Sequence, residues 1–253
     1  LTDPSSLTIA TRDEIARLAP DRIYVVGGTA AVSTAVRNQL DALRYGDTVA
    51  RLAGADRYAT AAAVADELAA ESGGVPGSRA FVCSGAGYAD ALSAAAAAAA
   101  AGQPVLLTAP TALSAPTAAA ITDLGITSSV VVGGIAAVSD TALAALPGPE
   151  RVAGADRYAT SRAVADWATG GGVLAFDAIG CARGDSFPDA LAAGPFMGTA
   201  GGPIVLLPSA SDAPLTGWLA MHGPETGAVT FFGGPSAVTY GLENDVRLAL
   251  RGQ

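Results

Sequence analysis

The chain has 253 residues, 51% of them hydrophobic and only 15% charged, with a net charge of −9, so it can bury one large core or two to three smaller ones. The acidic balance argues against general affinity for nucleic acid or an anionic membrane surface. The longest lipid-like run, Ala94 to Ala101, is too short for membrane insertion. In chain order, Thr11 with Glu14 three residues later predicts a capping box at the first helix. Val49 to Ala53 reads as a strand, and Asp56 can cap a helix running to about Glu71. Ala80 to Cys83 is the next strand, followed by an alanine-rich helix from Tyr88 to Ala101 that Gly102 ends. Val105 to Leu107 and Val130 to Val132 are further strands. Between these two, Ser114 and Pro116 open a helix, proline being tolerated in the first turn. Ser139 caps the next helix. The strands are continuous apolar runs, as expected where both faces are covered. The β-α-β-α order implies right-handed crossovers and parallel sheets, each unit a three-layer α/β sandwich. The alanine stretch predicts a helix that approaches its neighbour closely.

The chain repeats itself. R-L-A-G-A-D-R-Y-A-T from Arg51 recurs as R-V-A-G-A-D-R-Y-A-T from Arg151. V-V-G-G-T-A-A-V-S from Val25 recurs from Val131 and, as F-F-G-G-P-S-A-V, from Phe231. Tyr88 to Leu92 (Y-A-D-A-L) matches Phe187 to Leu191 (F-P-D-A-L). Leu1 to Ser33 aligns without gaps on Leu107 to Ser139, and the linker Asp41 to Asp47 absorbs the change of spacing before Arg51. A fixed period is the signature of a tandem array. The expected units are 1–50, the second half of a first repeat, then whole repeats at 51–150 and 151–253. On this alignment Leu1 falls at a strand end, so about 56 residues of the first unit are expected upstream. Cys83 and Cys181 occupy nearly equivalent positions and are expected as buried thiols, with a disulfide as the alternative.

Each candidate for chemistry has a structural alternative. The Gly-Gly pairs at Gly27, Gly133 and Gly233 either make a tight strand-to-helix turn or offer backbone N–H groups to an anion. They are not a nucleotide fingerprint. In Asp56-Arg57-Tyr58 and Asp156-Arg157-Tyr158 the Asp can cap a helix. The Arg can present a planar fork to carboxylate or phosphate, or bridge to an Asp of a neighbouring unit. Asp90 and Asp189 begin helices just after strands, as dipole partners or as site residues. His222 is the only histidine and has no counterpart in the repeat. Nothing in the pattern suggests a catalytic triad or a metal cluster.

Taken together, R-x-A-G-A-D-R-Y-A-T, [YF]-x-D-A-L, P-[VI]-x-L-L and V-V-G-G-x-x-A-V-S, in this order and at this period, closely resemble the cell wall binding repeat 2 family. The resemblance implies tandem Rossmann-like units with parallel sheets, packed with pseudo-threefold symmetry. It also implies a secreted surface protein of a Gram-positive bacterium whose attached functional domain lies outside this segment. The implied partner is an anionic secondary cell wall polymer held non-covalently, without a cofactor unless divalent cations bridge it. The family's apolar I-L-L motif falls on Val105-Leu106-Leu107 and Val205-Leu206-Leu207, with Leu1 representing the first copy. The expected polymer-binding residues are Arg57, Arg157, Asp90, Asp189, Leu106, Leu107, Leu206, Leu207, Gly134 and Gly234. Two departures stand out: the first unit lacks its D-R-Y and D-A-L segments, and the third Gly-Gly copy lacks its final Ser.

A non-catalytic anchoring module is therefore the leading expectation. A surface adhesion or lattice protein binding other proteins is the first alternative. An enzyme using a Rossmann-like crevice is the second.

Overall fold

The computed structural model describes residues 1–43 and 48–253. Residues 44–47 of the expected linker lie outside the described residues. The elements run α1 (Ile9–Leu18), β1 (Arg22–Val26), α2 (Thr34–Ala42) and β2 (Thr48–Leu52), then α3 (Arg57–Ser72), β3 (Arg79–Ser84) and α4 (Ala89–Ala101). They continue as β4 (Val105–Thr108), α5 (Ala115–Asp123), β5 (Ser128–Val132), α6 (Asp140–Ala144) and β6 (Pro149–Val152). The last group is α7 (Arg157–Gly170), β7 (Ala178–Arg183), α8 (Pro188–Ala200), β8 (Ile204–Leu207), α9 (Ala213–His222), β9 (Ala228–Phe232) and α10 (Tyr240–Leu250).

The strands form three separate sheets, ordered β1-β2, β4-β3-β5-β6 and β8-β7-β9, and every pairing is parallel. The α/β class and parallel sheets match the sequence expectation. The repeat period and the sheets are out of phase. Arg51 and Arg151 open the repeated decapeptide, yet they lie inside β2 and β6, which pair with β1 and β5 of the preceding unit. Each decapeptide thus finishes one sheet and then starts the first helix of the next unit. The chain passes between units inside the motif itself.

Local signals explain the helix starts. Asp56 and Asp156 cap α3 and α7, their carboxylates accepting from the N–H groups of Ala59 and Ala159 at 2.8 and 2.7 Å. This satisfies one of the orphan donors in each first turn. Ser139 caps α6 as expected. The first helix departs from expectation: Thr8, not Thr11, is its cap, and its side chain accepts from Thr11 N–H. Thr11 Oγ1 instead donates to the Leu1 carbonyl, so the chain enters the helix one turn earlier than the Thr–Glu pattern suggests. Ser114 precedes α5 without capping it through its side chain; its hydroxyl pairs with Thr117 at 2.7 Å.

The alanine-rich helix does approach its partner closely. α4 packs against α8, its counterpart one repeat later, through Ala95, Ala96 and Ala99 facing Gly194 and Gly198. A Cβ at Gly198 would lie 2.6 Å from the Ala99 Cβ, and one at Gly194 equally close to the Ala95 Cβ. Neither glycine tolerates a larger residue without moving a helix. The core around this crossing joins the second and third units, with Phe81, Leu92, Val130, Val164, Met197 and Leu206 in one apolar cluster. Separate clusters lie on the outer sides of the second and third sheets and under the first. Cys83 and Cys181 are free, buried thiols within these cores, and burial pushes both above the usual thiol range, Cys181 to about 12. Among the described residues no helix is long and apolar enough to cross a membrane.

Candidate functional site

In the second sheet the strand order reverses between β3 and β5: the chain leaves β3 for β4 on one side, then crosses to β5 on the other. The crevice at the carboxyl ends of such a pair is where open α/β sheets place their ligands. A cavity of about 440 Å³ opens there. Three segments form it: residues 86–90 after β3, residues 134–137 after β5, and residues 154–160 after β6. The last of these is the A-D-R-Y of the following repeat, so the cavity is a junction between two repeats.

Each segment is held by its neighbours. Arg151 reaches across the junction from β6, donating from one terminal nitrogen to the Gly133 carbonyl at 2.7 Å and from the other to the Val138 carbonyl at 2.8 Å. Arg51 similarly donates to the Gly27 carbonyl. The first arginine of the decapeptide is thus the clamp on the Gly-Gly turn. Gly133 itself has φ +116°, and a Cβ there would fall 2.5 Å from Asp90 Oδ2. Gly233 repeats this with φ +111° and 2.6 Å to Asp189 Oδ2. In both units the motif aspartate is therefore seated directly on the first glycine, which any side chain would expel.

The structure brings Asp90, Gly134 and Arg157 together around the cavity. Arg157 is exposed and donates through one terminal nitrogen to the Gly184 carbonyl at 2.8 Å. The same nitrogen lies 3.4 Å from the Tyr88 hydroxyl, and the guanidinium stands 5.6 Å from the centre of the Tyr88 ring. Arg57 makes the equivalent bond to the Gly85 carbonyl. Neither forms an ion pair with an Asp of another unit among the described residues. Instead of the bridge that was one of the two alternatives, each arginine pins the loop after the next strand of its own repeat. A guanidinium has five N–H donors, so each keeps free donors at its outer edge. Burial pushes the Asp90 carboxyl above the usual carboxylate range, opposed by the charge of Arg157. No hydrogen bond from the described residues offsets that burial.

The remaining expected residues divide. Gly28 and Arg57 line a second, larger groove of about 730 Å³ with Val26, Val64, Val105, Leu107 and Leu191. It is the corresponding junction between the first and second units, and its walls are largely apolar, with Leu191 of the third unit's D-A-L segment among them. Asp189 and Gly234 belong to the third Gly-Gly turn, near a small cavity formed by Arg183, Asp185, Ser186, Ser236 and Ala237. Arg183 bonds Asp185 and holds its carboxyl below the usual range. Leu107 is half-buried in the larger groove, but Leu106, Leu206 and Leu207 have no exposed surface. The direct ligand contact expected of these three is corrected to a core role: alternating or doubly covered strands turn them inward against helices.

Sequence reasoning passed over Tyr88 and Phe187, the aromatic first positions of the two D-A-L motifs. They face each other across the α4–α8 crossing with ring centroids 5.9 Å apart, and both are exposed. Their recurrence at one motif position was the available signal. His222 lies apart, between Phe176 and Trp218 with Asp166 3.2 Å away. Among the described residues no group of three or more His, Cys, Asp or Glu is placed to hold a metal.

Known proteins give these features a context. The family model "Cell wall binding domain 2" matches residues 51–143 and 151–243. The chain is 34% identical over 191 residues to N-acetylmuramoyl-L-alanine amidase LytC of Bacillus subtilis, covering 76% of this chain and 36% of that protein. It is 35% identical over 107 residues to the amidase enhancer of the same bacterium, covering 42% of this chain and 14% of that one. Among solved structures, Cwp8 from Clostridium difficile superposes with a TM-score of 0.79 at 25% identity, over 99% of this chain and 42% of that one. Cwp6 from the same organism superposes with a TM-score of 0.81 at 22% identity, over 96% and 37%. The second likeness shows the fold. The chain spans well under half the length of each of these proteins.

Proposed function

The chain belongs to the cell wall binding domain 2 family, a set of wall-binding modules of Gram-positive surface proteins, and on that premise we propose that it anchors a larger surface protein non-covalently to an anionic secondary wall polymer. The observation that carries this reading is the cavity at the junction between the second and third units, where Asp90, Gly134 and Arg157 meet at the strand-order reversal. The outer guanidinium donors of Arg157 are the local positive charge that an acidic chain needs to hold an anion. Arg57 offers the same fork at the neighbouring junction. A polymer that engages both gains by effective concentration rather than by any one strong contact.

The module works without turnover. Catalysis would need a base and a nucleophile or metal in one crevice, and the charged side chains of the junction cavity are half-buried Asp90, Arg157 and Asp156, the last engaged in capping α7. The amidase named for the relative in Bacillus subtilis is an activity of that whole protein, of which this chain matches 36%. By analogy, we assign the attached domain of the present protein to sequence outside this segment. No cofactor is required by this reading.

The test is co-sedimentation with purified walls, before and after chemical removal of the secondary polymers. Binding only to polymer-bearing walls is the expected result. Equal binding to stripped walls would transfer the recognition to peptidoglycan and overturn the proposal. A protein-binding or lattice role would show instead as self-association or capture by protein-bearing walls that protease treatment abolishes.

A further inference from the structure

Next to the junction cavity the molecule presents a pair of exposed aromatic rings. Tyr88 and Phe187 are the residues just before α4 and α8. They are 36% and 47% exposed. Each precedes by two residues the aspartate seated on a Gly-Gly turn. Arg157 covers part of Tyr88, and this leaves Phe187 the more open ring. The Asp90 carboxylate, an acceptor with up to four lone-pair directions, receives no hydrogen bond from the described residues. The cavity also holds Asp156, so its side chains carry two carboxylates against one guanidinium. A bare anion placed at its floor would meet net repulsion. The ligand that suits the floor brings hydroxyl donors, and the one that suits the rim brings an apolar face.

We propose that the cavity and the Tyr88–Phe187 pair form a saccharide subsite, in which a sugar ring of the polymer stacks its C–H face on Phe187 and Tyr88 and donates hydroxyls to Asp90, while the anionic substituent lies outside on Arg157. This rests on the junction being the polymer site and adds which part of the polymer enters it. Sugar C–H groups are polarised positive and aromatic faces carry negative charge, so the stack is favourable as well as dehydrating. Hydroxyl donation to Asp90 supplies the hydrogen bonds that its burial lacks, and a ligand lacking such hydroxyls would leave the carboxylate unpaired. The sugar, rather than the charge, then sets specificity.

The test uses secondary polymer extracted from walls of the bacterium that makes the protein, intact and after its anionic substituents are removed or neutralised, titrated calorimetrically into the whole chain. Binding of the neutral glycan, insensitive to salt, is the expected result. Phe187→Leu, still apolar but without a ring, should weaken it about tenfold, and Phe187→Tyr should bind within about twofold of the parent. Asp90→Asn, folded by circular dichroism, should weaken it as well. If only the anionic polymer binds and Phe187→Leu binds it as the parent does, the saccharide subsite is overturned while wall anchoring stands. If neither form binds, both readings fail.

Discussion

At the scale of the residue, the aspartates of the two repeated motifs do opposite things. Asp56 and Asp156 satisfy helix donors and stabilise. Replacing Asp156 with Ala should cost about 1 kcal/mol in urea unfolding, with Asp156→Asn recovering most of it. Asp90 is half-buried without a hydrogen bond from the described residues, and its carboxyl is raised above the ordinary value of 3.8. A raised acid binds more protons in the folded than in the unfolded state. Its ionisation therefore costs stability, and that cost is fully present above the folded value and disappears as pH falls below 3.8. Asp90→Asn should accordingly be as stable as the parent or more stable at pH 7, with the difference vanishing near pH 3.5. A variant clearly less stable at pH 7 would show that the carboxylate is structural. Retaining a group that costs stability is the pattern of a binding site rather than of a core. The sequence showed where these aspartates lie, because capping and motif recurrence are local. It could not show that Arg57 and Arg157 reach carbonyls 28 and 27 residues away, because that contact depends on which loop the tertiary fold brings over the helix start.

At the scale of the element, helix limits were legible wherever an Asp or Ser cap, a Gly stop or an apolar run marked them. α3, α4 and α6 follow those marks to within a residue or two. Two readings went astray for identifiable reasons. The Thr11–Glu14 pair had the capping pattern, but Thr8 lies one turn earlier and takes the role. Leu106, Leu206 and Leu207 were expected to touch the ligand, yet Leu106 points inward on the alternating strand β4 and Leu206 and Leu207 lie on β8, whose residues are all buried. The α4–α8 crossing is where helix propensity and packing conflict most directly. Gly198→Ala improves propensity but drives a Cβ into Ala99, so it should destabilise by about 1–3 kcal/mol. Gly217 is the control: it is exposed within α9, and a Cβ added there would meet nothing within 4 Å. Gly217→Ala should stabilise by about 0.5–1 kcal/mol. If both variants shift the denaturation midpoint the same way, the close helix crossing is not what constrains Gly198.

At the scale of the whole molecule, the units are linked by a phase shift that self-similarity alone does not reveal. Repeats are defined by matching residues, whereas sheets are defined by which strands pair, and β2 and β6 pair backward. The proposed binding cavity is consequently not inside a repeat but between repeats, at the junction of the second and third units. The net charge of −9 makes long-range attraction to an anionic polymer unfavourable, so anchoring must rest on short-range contacts. If Arg57 and Arg157 supply the charge contacts, wall affinity should fall several-fold between about 0.05 and 0.5 M salt, and a chelator should leave it unchanged. Release by the chelator would assign the contact to bridging divalent cations.

The most direct measurement is the dissociation constant of the chain for its extracted secondary polymer, parent against the Arg57→Ala/Arg157→Ala variant, with circular dichroism of both. A polymer site at the junctions predicts an intact fold and affinity lowered by roughly tenfold or more. A folded double variant that binds the polymer as tightly as the parent would contradict it.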